Sequence, residues 1–222
     1  MEKSVRTTLP SGSCLIETFG WWPQEGARHI GFHLERMETS ATALGVDFPA
    51  AKAIAFINAL SGDMPQRCRL TLSGTGEFEL TTTDLPALST GKWRLALASE
   101  RLQSDDPLLR HKTSHRPQYD KARSSLTGQA DEVLFLNERD ELCEGTITNL
   151  FLDMGEGVFL TPDLSSGLLP GILRRVMLDT RRAQEATLNL DDLRSAKRVF
   201  VGNSLRGLIP VEWIGDSIPL IP

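Results

Sequence analysis

Residues 143–175, CEGTITNLFLDMGEGVFLTPDLSSGLLPGILRR, decide how the rest of the chain is read. An acidic residue, Glu144, stands ahead of an apolar strand pattern, a tight turn leads into a second strand, and a loop punctuated by Gly167, Pro170 and Gly171 opens a helix. A helix that starts on Pro170 and Gly171 brings no side-chain cap of its own. The amides of Ile172 and Leu173 are therefore free to meet an anion, and the spacing predicts a phosphate seat.

Upstream, CLIETFGWW at 14–22 reads as a strand with a turn at 23–26. Leu34, Met37, Ala41 and Leu44 then recur at helical spacing with Gly45 as a stop, and 50–62 repeats that pattern up to Gly62. RCRLTLSG, EFELTTT and KWRLALAS alternate apolar and polar residues, which predicts antiparallel strands with one buried face. Residues 1–103 thus form a small N-terminal domain, and SDDPLLRH at 104–111, with its Asp-Asp-Pro, is the expected linker. Residues 112–222 form the larger domain. Its expected elements are a helix over RPQYDKARSSLTGQ, a strand VLFLN, the quoted stretch, a helix at 171–182, a short helix DDLRSA and a strand RVFVG.

Composition narrows the class. Hydrophobic residues at 40% and charged residues at 24% are those of a globular enzyme, and a net charge of -5 argues against a nucleic-acid binder. No apolar run is long enough for a signal peptide or a membrane span. Cys14, Cys68 and Cys143 are odd in number and scattered, which indicates neither disulfides nor zinc and fits the cytoplasm; His33, His111 and His115 are likewise too dispersed for a metal site.

Glu144-Gly145, Asn149-Leu150-Phe151, Thr161-Pro162 and Leu169-Pro170-Gly171-Ile172-Leu173-Arg174, at this spacing, resemble the class IV (fold type IV) pyridoxal-phosphate enzymes, which include branched-chain and D-amino-acid aminotransferases and aminodeoxychorismate lyase. The similarity extends over roughly 14–212 and is greatest to the lyase domain fused to some para-aminobenzoate synthases. It implies an α+β, two-domain D-amino-acid aminotransferase-like fold, with a small N-terminal α/β domain and a larger β-rich C-terminal domain that carries helices.

The resemblance also implies roles. Pyridoxal phosphate needs a lysine to bond its aldehyde, an acid facing its pyridine nitrogen and a phosphate anchor. Of six lysines, Lys112 lies where the family places that amine; Lys121 is the rival, set in a charged helical pattern. Glu144 would keep the ring protonated, Tyr119 would bond the ring oxygen, and Leu169 would pack under the ring. Arg36 would reach the phosphate beside Ile172, Leu173 and Ser204, and Asn149, Gly171 and Asn203 join the cofactor contacts. A substrate carboxylate would fall to Arg110, Arg116, Arg174 or, first of all, Arg206.

The function so implied is 4-amino-4-deoxychorismate lyase, releasing pyruvate and 4-aminobenzoate for folate synthesis. A class IV aminotransferase for branched-chain or D-amino acids is the alternative, and a diverged, non-catalytic ligand binder is the third. The expected partners are a small-molecule amine and a second copy in a homodimer.

Overall fold

The computed structural model describes residues 7–85, 91–126, 128, 130–213 and 220–221. The chain divides into two compact units, Met1–Ala87 with Arg110–His115, and Leu88–Leu109 with Arg116–Pro222.

In the first unit, β1 (Cys14–Trp22), β2 (Gly26–Ala27), β3 (Gln66–Ser73) and β4 (Phe78–Asp84) make an antiparallel sheet in the order β2-β1-β3-β4. Between them run α1 (Ile30–Leu44) and α2 (Ala50–Asn58). Helix α1 buries His33, Met37, Ser40, Ala41 and Leu44, one stripe at helical spacing. The expected Leu34 is only half-buried, because His33 takes the core position beside it. Gly45 closes the helix, its N–H bonding the carbonyls of Ala41 and Thr42. Helix α2 stops at Asn58, short of the 50–62 pattern.

In the second unit, β5 (Trp93–Leu102) is followed by α3 (Pro117–Ser124), β6 (Glu132–Asn137), β7 (Leu142–Gly145), β8 (Asn149–Asp153), β9 (Phe159–Pro162) and α4 (Ile172–Asp179). After these come β10 (Ala183–Ala186), α5 (Leu190–Ser195), β11 (Arg198–Asn203), β12 (Gly207–Trp213) and β13 (Leu220–Ile221). Strands follow the order β10-β9-β8-β11-β12-β5-β6-β7, and β7 also pairs β8. That last pairing closes six of them, β8-β11-β12-β5-β6-β7, into a ring.

Strand β6 shows how the ring is filled. Leu134 and Leu136 join the cluster of Leu95, Leu97, Leu150, Leu152, Val201 and Ile209, whereas Val133 and Phe135 pack with Ala122 and Tyr119 of α3. Both faces are covered, so every residue of the strand is buried.

Strand β5 differs from the expectation. It was to be an antiparallel strand of the N-terminal domain; instead it runs parallel to β6 and β12 in the second unit. The cause is Leu95, Ala96, Leu97 and Ala98, four consecutive buried apolar residues that suit a strand covered on both faces. Residues 110–115, expected to straddle the linker and the second domain, group with the first unit because they are bonded along β1. Helix α3 is shorter than the RPQYDKARSSLTGQ pattern and starts on Pro117, where a missing N–H costs nothing. Helix α4 ends before the expected 182, and Arg181 in a left-handed conformation turns the chain into β10.

Candidate cofactor site

In the second unit the ring of strands closes through one pair, Glu144 opposite Asn149. Glu144 is buried and accepts from the Tyr119 hydroxyl at 2.8 Å and from Asn149 Nδ2 at 3.4 Å. The same Nδ2 donates to the Leu169 carbonyl at 3.0 Å, which ties the acid to the loop that opens α4. Tyr119 rides on α3 with its ring 5.1 Å from that of Phe135 and the Arg116 guanidinium 5.0 Å from its centroid. Burial of the hydroxyl end, then the negative Glu144 beside it, push the phenol well above its ordinary pKa, so it stays a donor. Burial likewise raises the neighbouring Cys143 thiol and keeps it unreactive.

The helix opening is as the sequence predicts. Gly171 caps α4 with no side-chain hydrogen bond, leaving the first-turn amides to an anion. A Cβ on Gly171 would lie 1.8 Å from Asn149 Oδ1, so glycine is required for this approach. Ile172 is buried, and Leu169 and Leu173 are half-buried.

Other predicted residues hold the surrounding loops. Asn203 Oδ1 accepts from the amides of Leu205 and Arg206 at 3.1 and 3.0 Å, and its Nδ2 donates to the Ile147 carbonyl at 3.1 Å. It therefore shapes the turn that presents Ser204. The Arg206 guanidinium stands 5.5 Å from the Trp93 ring centroid. Arg174 is buried and bonds the Pro162 carbonyl at 2.8 Å and Glu185, while Arg116 bonds Asp120 and the Thr146 carbonyl, so both serve the fold.

In the first unit, the Lys112 carbonyl accepts from Ile16 N at 2.8 Å, and the next residues bond β1 through Ser114 N to Cys14 O at 2.9 Å and a Leu15–Thr113 bridge. The lysine backbone is thus laced to a strand. The rival, Lys121, bonds Glu100 at 2.5 Å on an exposed face, as an ordinary surface charge does. Arg36, expected at the phosphate, sends Nε and Nη2 to the two oxygens of Glu17 at 2.8 and 2.6 Å, and His33 Nδ1 lies 2.6 Å from Glu17 Oε2. Burial alone would raise the Glu17 pKa; the Arg36 charge and the His33 and Arg36 hydrogen bonds outweigh it and lower it to about 2.

Two acids were missed in the sequence, Glu17 and Glu132. Glu17 was detectable: Leu15, Glu17 and Phe19 share one strand parity, and all three are 1% exposed. Glu132 gives no such signal.

A buried carboxylate, a phenol held protonated and an uncapped helix start match the ring and phosphate ends of pyridoxal phosphate, and the residues present fit that group. A family model described as amino-transferase class IV matches residues 14–214. The chain belongs to the amino-transferase class IV family. These are pyridoxal-phosphate-dependent enzymes of the fold type IV architecture. Among relatives, this class IV chain is 28% identical over 183 residues to a "Putative aminodeoxychorismate lyase" of Schizosaccharomyces pombe, covering 78% of this chain and 79% of that one. It is 26% identical over 211 residues to the aminodeoxychorismate lyase of Vibrio harveyi, covering 84% and 78%. A solved "Putative amino-acid aminotransferase" from Mesorhizobium loti superposes with a TM-score of 0.87 at 47% identity, over 91% of this chain and all of that one.

Proposed function

We propose that the chain is a 4-amino-4-deoxychorismate lyase, which eliminates pyruvate from its substrate and leaves 4-aminobenzoate. The observation that carries the reading is the match to aminodeoxychorismate lyases over 78% and 84% of this chain. Bound pyridoxal phosphate supplies an electron sink for bond breaking at the substrate carbon. By the family resemblance Lys112 would hold the cofactor through its amine and would move the proton at the substrate carbon. Glu144 would keep the pyridine nitrogen protonated, and Tyr119 orients Glu144 by the 2.8 Å hydrogen bond. The amides of Ile172 and Leu173 and the Asn203–Ser204 turn would hold the phosphate, with Leu169, Asn149 and Gly171 shaping the seat. By the family resemblance Arg36 would serve the cofactor phosphate and Arg206 the substrate carboxylate.

The chain acts as a homodimer in the cytoplasm. The family resemblance supports the first, and the free Cys14, Cys68 and Cys143 support a reducing compartment. Among the described residues no helix is long and apolar enough to cross a membrane.

The aminotransferase reading is favoured by one observation, the 47% identity to the Mesorhizobium loti protein. Adding L-glutamate and fresh aminodeoxychorismate to separate samples of holoprotein distinguishes the two. Equal amounts of pyruvate and 4-aminobenzoate from the second sample, with the visible spectrum restored, are expected. Lasting conversion of the cofactor to its amine form by glutamate, with no pyruvate from the other sample, would establish a transferase.

A further inference from the structure

Glu132 opens β6, is fully buried, and has no place in the cofactor chemistry described above. Its carboxylate faces the three-residue connection between β7 and β8. Oε1 accepts from Thr146 N and Val133 N at 3.0 Å each and from the Thr146 hydroxyl; Oε2 accepts from the Thr148 hydroxyl at 2.8 Å and Ile147 N at 3.3 Å. One buried anion thus takes a hydrogen bond from every residue of the turn that separates Glu144-Gly145 from Asn149. A Cβ on Gly145 would lie 2.8 Å from Glu132 Cδ and 2.4 Å from Thr148 Oγ1, so the glycine beside Glu144 is there because this carboxylate packs against it.

The same turn is gripped from its other sides. Arg116 bonds the Thr146 carbonyl, Arg123 the Thr146 hydroxyl at 3.0 Å, and Asn203 the Ile147 carbonyl at 3.1 Å. Arg116 is the N-cap and Arg123 lies in the last turn of the helix that carries Tyr119, and Asn203 starts the turn that carries Ser204. The ring end and the phosphate end of the candidate site therefore both hang on residues 146–148.

We infer that Glu132 is a positioning residue that fixes the 146–148 turn, sets the Glu144–Asn149 register and thereby aligns both ends of the cofactor site. The inference rests on the pyridoxal-phosphate reading, but its central contact can be tested in protein without cofactor. Tyr119 is the only tyrosine in the chain. Tyrosine labelled with carbon-13 at the ring Cζ alone then gives one ring resonance, whose position reports the hydrogen bond to Glu144.

Glu132→Gln keeps the shape but turns an amide donor toward hydroxyl and amide donors. In apoprotein whose far-ultraviolet circular dichroism matches wild type, the Tyr119 resonance is expected to move toward its position in Glu144→Gln, and pyridoxal phosphate to bind about tenfold more weakly. Thr148→Val, which removes one donor to Oε2, should move the resonance the same way by less, and it decides the matter if Glu132→Gln does not fold. A purely structural role would lower the unfolding midpoint and leave the resonance in place. A folded variant with an unmoved resonance and wild-type cofactor affinity overturns the inference. Failure of wild-type protein to bind pyridoxal phosphate would instead overturn the functional reading and leave the resonance test intact.

Discussion

Glu17 in the first unit and Glu132 in the second are both almost wholly buried acids, 1% and 0% exposed, and they are held in opposite ways. Glu17 meets a charge: two bonds from the Arg36 guanidinium, with His33 alongside. Glu132 meets a cage of three amides and two hydroxyls, with the Arg123 guanidinium 3.8 Å off. The first device pins a helix to a strand through an ion pair. The second pins a turn through many neutral hydrogen bonds, and each is expected to fail differently.

The largest effect should follow Arg36→Ala. It leaves Glu17 buried without its guanidinium and should cost about 3–5 kcal/mol, read from denaturant midpoints at neutral pH. If Glu132→Ala destabilised more than Arg36→Ala, the ranking of charge over cage would be broken. Next in size is a pH dependence. The folded pKa of Glu17, about 2, lies below its ordinary 4.5. The carboxylate therefore contributes stability that is present above 4.5 and is lost as pH falls toward 2, about 3 kcal/mol in all. Glu17→Gln should flatten the stability profile in that window, and an unchanged acid limb would show that Glu17 is not the group responsible.

A smaller effect sharpens the other side of the comparison. Thr148→Val removes one of the five hydrogen bonds to Glu132 and should lower stability by about 1 kcal/mol without changing the pH profile. Smallest of all is Lys52→Ala, which breaks the exposed Lys52–Glu77 pair at 3.6 Å and should leave the unfolding midpoint where it was.

The contrast also explains what was legible in the sequence. Glu144, Asn149, Gly171 and the uncapped start of α4 fall in one short stretch, and the Glu144–Asn149 pairing and the Asn149 bond to Leu169 run within it, so the resemblance to the family pattern singled them out together. Lys112 was singled out by the family resemblance, and its lacing to β1 was not legible, because the partners Cys14 and Ile16 lie far earlier in the chain. Glu132 was invisible for the same reason: four of its five donors arrive 14–16 residues later, and a strand buried on both faces shows no alternation from which a polar residue could stand out. Strand β5 was assigned to the wrong sheet because Leu-Ala-Leu-Ala reads as alternation in size while both residue types are buried. Strands β10, β12 and β13 were not anticipated; β10 and β13 are only four and two residues long. Arg36 and Tyr119 were expected at the phosphate and the ring oxygen; the partners seen are Glu17 and Glu144.

The most direct measurement is to load the protein with pyridoxal phosphate, trap the covalent bond by borohydride reduction and locate the added mass in a proteolytic digest. The phosphopyridoxyl group is expected on the peptide that contains Lys112, and Lys112→Ala protein should carry none. Its appearance on Lys121, or on no lysine at all, would contradict the assignment of this chain's cofactor site.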